Sequence, residues 1–128
     1  MSDHPVVFEV DGVVGADPEE VWPLLAEARR RPGVGEVTVD EETGEVIVHG
    51  GWWYEGRDRV TRHEQGTHIR HRVHNVATGP GRLVADLFQV RSHRRHAGAD
   101  FAFLVGSLGQ RLGCETWVPA PEQDDEET

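Results

Sequence analysis

Residues 82–112 read RLVADLFQVRSHRRHAGADFAFLVGSLGQRL, and the period of this stretch decides the fold. Leu83, Leu87, Val90, Ala97, Phe101, Leu104, Leu108 and Leu112 recur at intervals of three and four, and Val84, Phe88, Ala102 and Val105 widen the stripe. Such spacing puts one apolar face along an α-helix. At 1.5 Å per residue the helix would be about 46 Å long, enough to cross a whole sheet. Gly98, Gly106 and Gly109 each weaken it by about 1 kcal/mol relative to Ala, which leaves open both a continuous helix and one broken near Gly98. A helix of that length needs a broad apolar surface to cover its stripe.

The preceding residues supply one. From Gly35 to Val76 the period changes to strict alternation, which predicts an antiparallel meander of strands over roughly 36–40, 45–54, 57–63 and 67–76. Glu41-Glu42-Thr43-Gly44 makes the first hairpin, Glu55-Gly56 and Glu64-Gln65-Gly66 the next two turns, and Thr78-Gly79-Pro80-Gly81 ends the sheet. One parity is apolar: Val37 and Val39, then Val46, Val48 and Trp52, then Val60, then Ile69 and Val73. The other carries Arg57, Arg59, His63, His68, Arg70, Arg72 and His74, so one face is packed and one meets water. Gly50-Gly51 falls inside the second strand, where a bulge or sharp bend is expected.

Upstream, Val6–Val10 suits a strand, and Asp11-Gly12 with Gly15 loosens the chain after it. A helix follows: Asp17 is placed as N-cap, Pro18 at the first helical position and Glu20 at capping-box spacing. Val21, Leu24, Leu25 and Ala28 form its stripe, with Trp22 beside it; Pro23 predicts a kink. Arg29-Arg30-Arg31 complement the helix C-terminus, and Pro32-Gly33 ends it. Five strands and two helices in this order define an α+β fold, a curved antiparallel sheet wrapped around a long C-terminal helix.

The chain has 128 residues and a formal net charge of −10, which predicts one domain over 1–118. Glu122, Asp124, Asp125, Glu126 and Glu127 follow Pro119 and Pro121, so 119–128 is read as a disordered acidic tail. The acidic balance argues against nucleic acid as a partner. A single Cys114 excludes a disulfide scaffold. No apolar run approaches the roughly 20 residues of a membrane span, and Met1–Pro5 lacks the plan of a signal peptide, so the expected location is cytoplasmic.

Three segments carry a family likeness: Gly15-Ala16-Asp17-Pro18-Glu19-Glu20-Val21-Trp22-Pro23-Leu24-Leu25, His49-Gly50-Gly51-Trp52-Trp53-Tyr54-Glu55-Gly56 and His71-Arg72-Val73-His74-Asn75-Val76-Ala77. With the order of elements, they make residues 6–114 resemble the START/SRPBCC superfamily, the helix-grip fold of polyketide cyclases and carriers of hydrophobic ligands. The resemblance implies a ligand cavity between sheet and helix. Five strands stand where the family has seven, and the family's second short helix is missing, which implies a smaller or more open cavity.

Inward parity places Tyr54, His71 and Asn75 against the helix beside Ile69 and Val73. A few polar groups converging on apolar walls form the usual ligand site. Tyr54 and His71 are candidates to exchange a proton with a carbonyl-bearing ligand and Asn75 to orient it; the competing reading has them bonding one another or backbone in a filled core. Trp52 and Trp53 have opposite parity, and Trp52 is taken as the inward residue, either a ligand-facing wall together with Phe101 or plain core packing. Arg94 falls on the helix stripe, where it either reaches into the cavity or lies beyond the sheet edge and extends to water. Asp58 and Arg62 share parity with Val60, which places them either at opposite ends of the pocket or, the preferred reading, as a pair at its rim. Trp22 and Trp117 are read as structural.

No metal site is expected. His71 points away from His68 and His74 on its strand, and His93 with His96 lacks a carboxylate or thiolate at ligand spacing. No phosphate-binding loop, dinucleotide fingerprint or nucleophile motif is present, so no cofactor is expected. Three functions compete: binding of a small hydrophobic ligand, whether lipid, aromatic or polyketide-like; a cyclase or dehydratase acting on a poly-carbonyl chain; and an interaction module that forms a homodimer through an exposed sheet edge or the Trp53 surface.

Overall fold

The computed structural model describes residues 5–30 and 35–118. Strand β1 (Val6–Val14) leads into helix α1 (Pro18–Arg29), and the meander follows as β2 (Glu36–Asp40), β3 (Glu45–Gly50), β4 (Tyr54–His63) and β5 (Gly66–Asn75). The C-terminal helix comprises α2 (Pro80–Val84), a π-helical turn (Ala85–Gln89) and α3 (Val90–Leu112), and β6 (Thr116–Trp117) ends the described chain. The strands form one curved antiparallel sheet in the order β2-β3-β4-β5-β1-β6. The α+β class and the pairing of a curved sheet with a long C-terminal helix therefore stand as the alternation and the helical period predict.

The concave face is shared by two helices lying side by side. Helix α1 covers β3, β4 and β5, while α3 packs on β1 and β6 and against α1. One core joins Val21 and Leu25 of α1 to Val46, Ile69 and Val14 of the sheet and to Phe101, Val105 and Leu108 of α3. A second core gathers Trp53, Val73, Ala77, Ala85 and Val90 at the other end of the long helix. Gly12, in the middle of β1, lets α3 come close: a Cβ there would stand 3.0 Å from Phe101 and 3.1 Å from Val105. The strand continues through Asp11-Gly12 to Val14, past the point where these residues predict it loosens.

Local readings differ in several places. The second strand stops at Gly50 because Gly51 adopts a left-handed φ of 64° and a turn follows, so the next strand starts at Tyr54 and Gly56 lies within it. Asp17 does not cap α1 with its side chain; its carboxylate lies 3.7 Å from Arg62 Nη1. Helix α1 runs through Pro23. The long helix passes Gly98 without a break, because side chains on both sides of it are anchored in the two cores. It ends on Gly113 in a left-handed conformation, with the Cys114 amide donating to the Gly109 carbonyl at 3.0 Å. The segments expected at Pro32-Gly33 and over 119–128 lie outside the described residues.

The convex face is laced by ion pairs. Arg57 bridges Glu45 and Glu55, Arg70 reaches Glu9 and Asp11, and His68 meets Asp11 at 2.8 Å. These contacts keep opposite charges alternating across a solvated surface, each contributing little to stability. No helix among the described residues is long and apolar enough to cross a membrane.

Candidate functional site

A cleft of about 450 Å³ opens between α1, the central strands and α3. Its wall combines Ala28, Ala97, Phe101, Phe103 and Leu104 with Arg29, Tyr54, His71, His93, Asp100 and Ser107. That volume falls in the range of small-molecule sites, and the mixture of aromatic and polar groups gives both burial and orientation.

The floor is a buried charge assembly. Register sets Asp58 of β4 directly opposite His71 of β5, both facing inward. Asp58 is 1% exposed. It accepts from His71 Nδ1 at 2.7 Å and from Arg29 twice, Nε at 2.6 Å and Nη2 at 3.0 Å. Burial opposes its ionisation, but the hydrogen bond and charge of His71 and then those of Arg29 prevail and hold the carboxyl at about 2. The same pair keeps Arg29 a cation despite its burial. With Nδ1 donating to Asp58, the remaining polar atom of the His71 ring is Nε2, an acceptor in the neutral tautomer. Phe101 stacks on that ring with centroids 5.6 Å apart, and Phe8 meets it edge-on.

Tyr54 lies across Gly56 and onto the same wall. A Cβ at residue 56 would come within 2.6 Å of the Tyr54 hydroxyl, so the glycine makes the space that the phenol occupies. Burial pushes the Tyr54 hydroxyl above its ordinary range, and it stays a donor at neutral pH. Across the cleft, His93 is ringed edge-on by Phe8, Trp53 and Tyr54 at centroid distances of 6.1, 5.8 and 5.2 Å. Its Nε2 is buried and has no hydrogen-bond partner. Burial, and then the charge of His71, lowers the affinity of His93 for a proton.

Of the residues singled out from sequence, Tyr54, His71 and Phe101 come together in this cleft. Three do not. Trp52 falls in the turn after Gly51 and is 51% exposed, while Trp53 is buried; the turn resets the parity on which the choice of Trp52 rested. Asn75 faces inward but is fully engaged elsewhere. Its amide donates to the Arg82 carbonyl and to Asp86 Oδ1 at 2.8 Å, and its oxygen accepts from the Ala77 amide, so it ties the sheet to the start of the helix. Arg94 stays outside the cleft and donates from Nε to the Val7 carbonyl at 2.8 Å. A bulge between Val6 and Phe8 takes that carbonyl out of the ladder with β5.

Arg29, Asp58 and His93 are site residues to which the sequence assigns other roles, at the helix end, in a rim pair with Arg62 and as a rejected metal ligand, yet each carries a signal. Arg29 lies four residues beyond Leu25 and eight beyond Val21, on the buried stripe of α1. Asp58 shares parity with Val60, but its partner is Arg29 and it sits in the interior; Arg62 instead pairs at the surface with Asp17 and Glu19. His93 is reached from Val90 by a step of three, which continues correctly to Ala97 and Phe101, whereas a step of four lands on Arg94. Among the described residues, no cluster of three or more His, Cys, Asp or Glu side chains is arranged to hold a metal ion.

No family model matches the chain, and neither a curated protein nor a solved structure is significantly similar to it.

Proposed function

We propose that the chain binds a small, partly apolar molecule carrying a carbonyl or phenolic oxygen, held between the sheet and the C-terminal helix. The observation that carries this reading is the pairing, on one cleft wall, of stacked apolar groups with an unpartnered buried nitrogen, His93 Nε2. A buried polar atom without a partner is costly, and a ligand oxygen would satisfy it. Phe101, Ala97 and Leu104 would supply burial, while His71, His93 and Tyr54 would orient the oxygen. The resemblance to helix-grip carriers supports the same reading, as does the placement of the cleft beneath the long helix. A cytoplasmic location belongs to this proposal.

A second reading, a cyclase or dehydratase acting on a poly-carbonyl chain, is favoured by the Asp58–His71 contact. A buried carboxylate that orients an imidazole leaves its other nitrogen placed as a general base, and Tyr54 could polarise a carbonyl. The test of the first reading is native mass spectrometry of the full chain purified from its own host. A retained mass that is lost in His71→Ala and His93→Leu, with folding intact, supports it. A bare polypeptide mass, together with no binding of aromatic carbonyl probes, sinks it. Turnover of a poly-carbonyl probe that collapses in His71→Ala and Tyr54→Phe would favour the enzyme over the carrier.

A further inference from the structure

The first turns of the C-terminal helix expose side chains that their period predicts to be buried. Leu83, Leu87 and Phe88 are 64%, 51% and 65% exposed, and Val84 is exposed as well. The cause is the π-helical turn. The Val90 amide donates to the Ala85 carbonyl, five residues back, and the wide turn stacks Ala85 and Val90 on the same core with Trp53 and Val73. Holding those two inward sends residues 83, 84, 87 and 88 to the surface. Trp52 joins them: its ring lies 3.4 Å from where a Cβ of Gly81 would stand, and much of it is exposed.

This end of the helix is also locally cationic. Residues 82–96 contain four arginines and one acidic residue, Asp86, in a chain whose net charge is −10. Asp86 accepts a hydrogen bond from Asn75. Arg91, Arg94, Arg95 and His96 are all exposed on the turns that follow the apolar group. Clustered exposed apolar side chains mark a site of contact with a protein or a membrane. The adjoining arginines select a negatively charged surface and disfavour a second copy, because symmetric pairing would bring two arginine clusters together.

We propose that this end of the helix docks on an anionic phospholipid surface. Trp52, Leu83, Leu87 and Phe88 would enter the interfacial layer, and Arg91 and Arg95 would lie at the headgroup phosphates. The proposal stands on the exposed helix end and does not depend on what occupies the cleft.

Co-sedimentation of the full chain with two kinds of vesicle tests it: pure phosphatidylcholine, and phosphatidylcholine with about three parts in ten phosphatidylglycerol. Binding should favour the anionic vesicles at least about tenfold and fade as salt rises to roughly 0.5 M. Arg91→Glu with Arg95→Glu should weaken it by more than about 25-fold, roughly fivefold for each arginine lost before counting the reversed charge. Leu87→Ser with Phe88→Ser should weaken it by more than about tenfold. All four side chains are exposed, so an unchanged circular dichroism spectrum is expected for both variants. Equal binding to both vesicles, or none, would overturn the proposal. So would a concentration-dependent dimer that the Leu87→Ser/Phe88→Ser variant dissociates, or capture by an acidic polypeptide with no affinity for vesicles.

Discussion

Replacing Arg29 with Met strands the Asp58 carboxylate in the interior with His71 alone. Arg29 provides two of the three hydrogen bonds that Asp58 accepts from charged or titratable side chains, at 2.6 and 3.0 Å, and Asp58 is 1% exposed. Opposite charges about 4 Å apart attract by about 4 kcal/mol at an effective dielectric near 20, and removing one partner of a buried pair costs about 3–5 kcal/mol. Arg29 keeps some solvent contact, so a loss of about 3 kcal/mol at pH 7 is expected, a large part of the roughly 5–15 kcal/mol that stabilises a domain. The sign of the pH dependence follows from Asp58, whose folded value of about 2 lies below its ordinary 3.8. The wild type keeps that stabilisation above pH 4 and loses it as pH falls toward 2; the variant lacks it throughout. Urea unfolding followed by tryptophan fluorescence should therefore show a gap between the two proteins at pH 7 that narrows by about pH 3. Adding Asp58→Asn to Arg29→Met should recover more than half of the loss, because the stranded charge is gone. A loss below about 1 kcal/mol at pH 7, or one that does not change with pH, would refute the assembly as described.

Gly56→Ala should displace the Tyr54 phenol, because the new Cβ would meet its hydroxyl at 2.6 Å; titration with a bound carbonyl ligand should show affinity falling about tenfold with one hydrogen bond lost. His93→Leu should raise stability by about 1 kcal/mol by removing an unpartnered buried nitrogen. The folded affinity of His93 for a proton is depressed, so its contribution is complete above the ordinary 6.5 and declines as pH falls; the Leu variant should flatten the urea midpoint between about pH 7 and 5. Leu25→Ala, at a fully buried position where α1 meets the sheet, should cost about 2–5 kcal/mol and leave the helix content of the folded protein unchanged by circular dichroism.

Much of the architecture was legible because period and parity are local properties. Alternation over 36–76 marks the faces of β4 and β5, and steps of three and four locate the long helix. Legibility failed where one residue changes the phase. Gly51 ends β3 and starts a turn, which exchanges the roles of Trp52 and Trp53. The π-helical turn inserts an extra residue between Ala85 and Val90, so the stripe expected through Leu83 and Leu87 is carried instead by Ala85 and Val90. The β1 bulge frees the Val7 carbonyl for Arg94. Each is a displacement of a single position, which propensities scarcely register and which redirects every side chain that follows until the next break.

Sequence by itself determined the two main helices, the meander that lies between them and the solvated character of the outer sheet face, since each follows from neighbours a few residues apart; the sixth strand, Thr116–Trp117, forms only by pairing with β1. The site was decided by tertiary structure. Arg29 and Asp58 are 29 residues apart, and Asp58 and His71 are 13 apart; helix packing and strand register set them within hydrogen-bond reach. An arginine at the end of a helix reads as a cap for its dipole, and an aspartate four residues before an arginine of the same parity reads as half of a rim ion pair, until folding removes the water around both. Their attraction then becomes strong and geometrically specific, a property of the assembled interior that no one of these segments possesses alone.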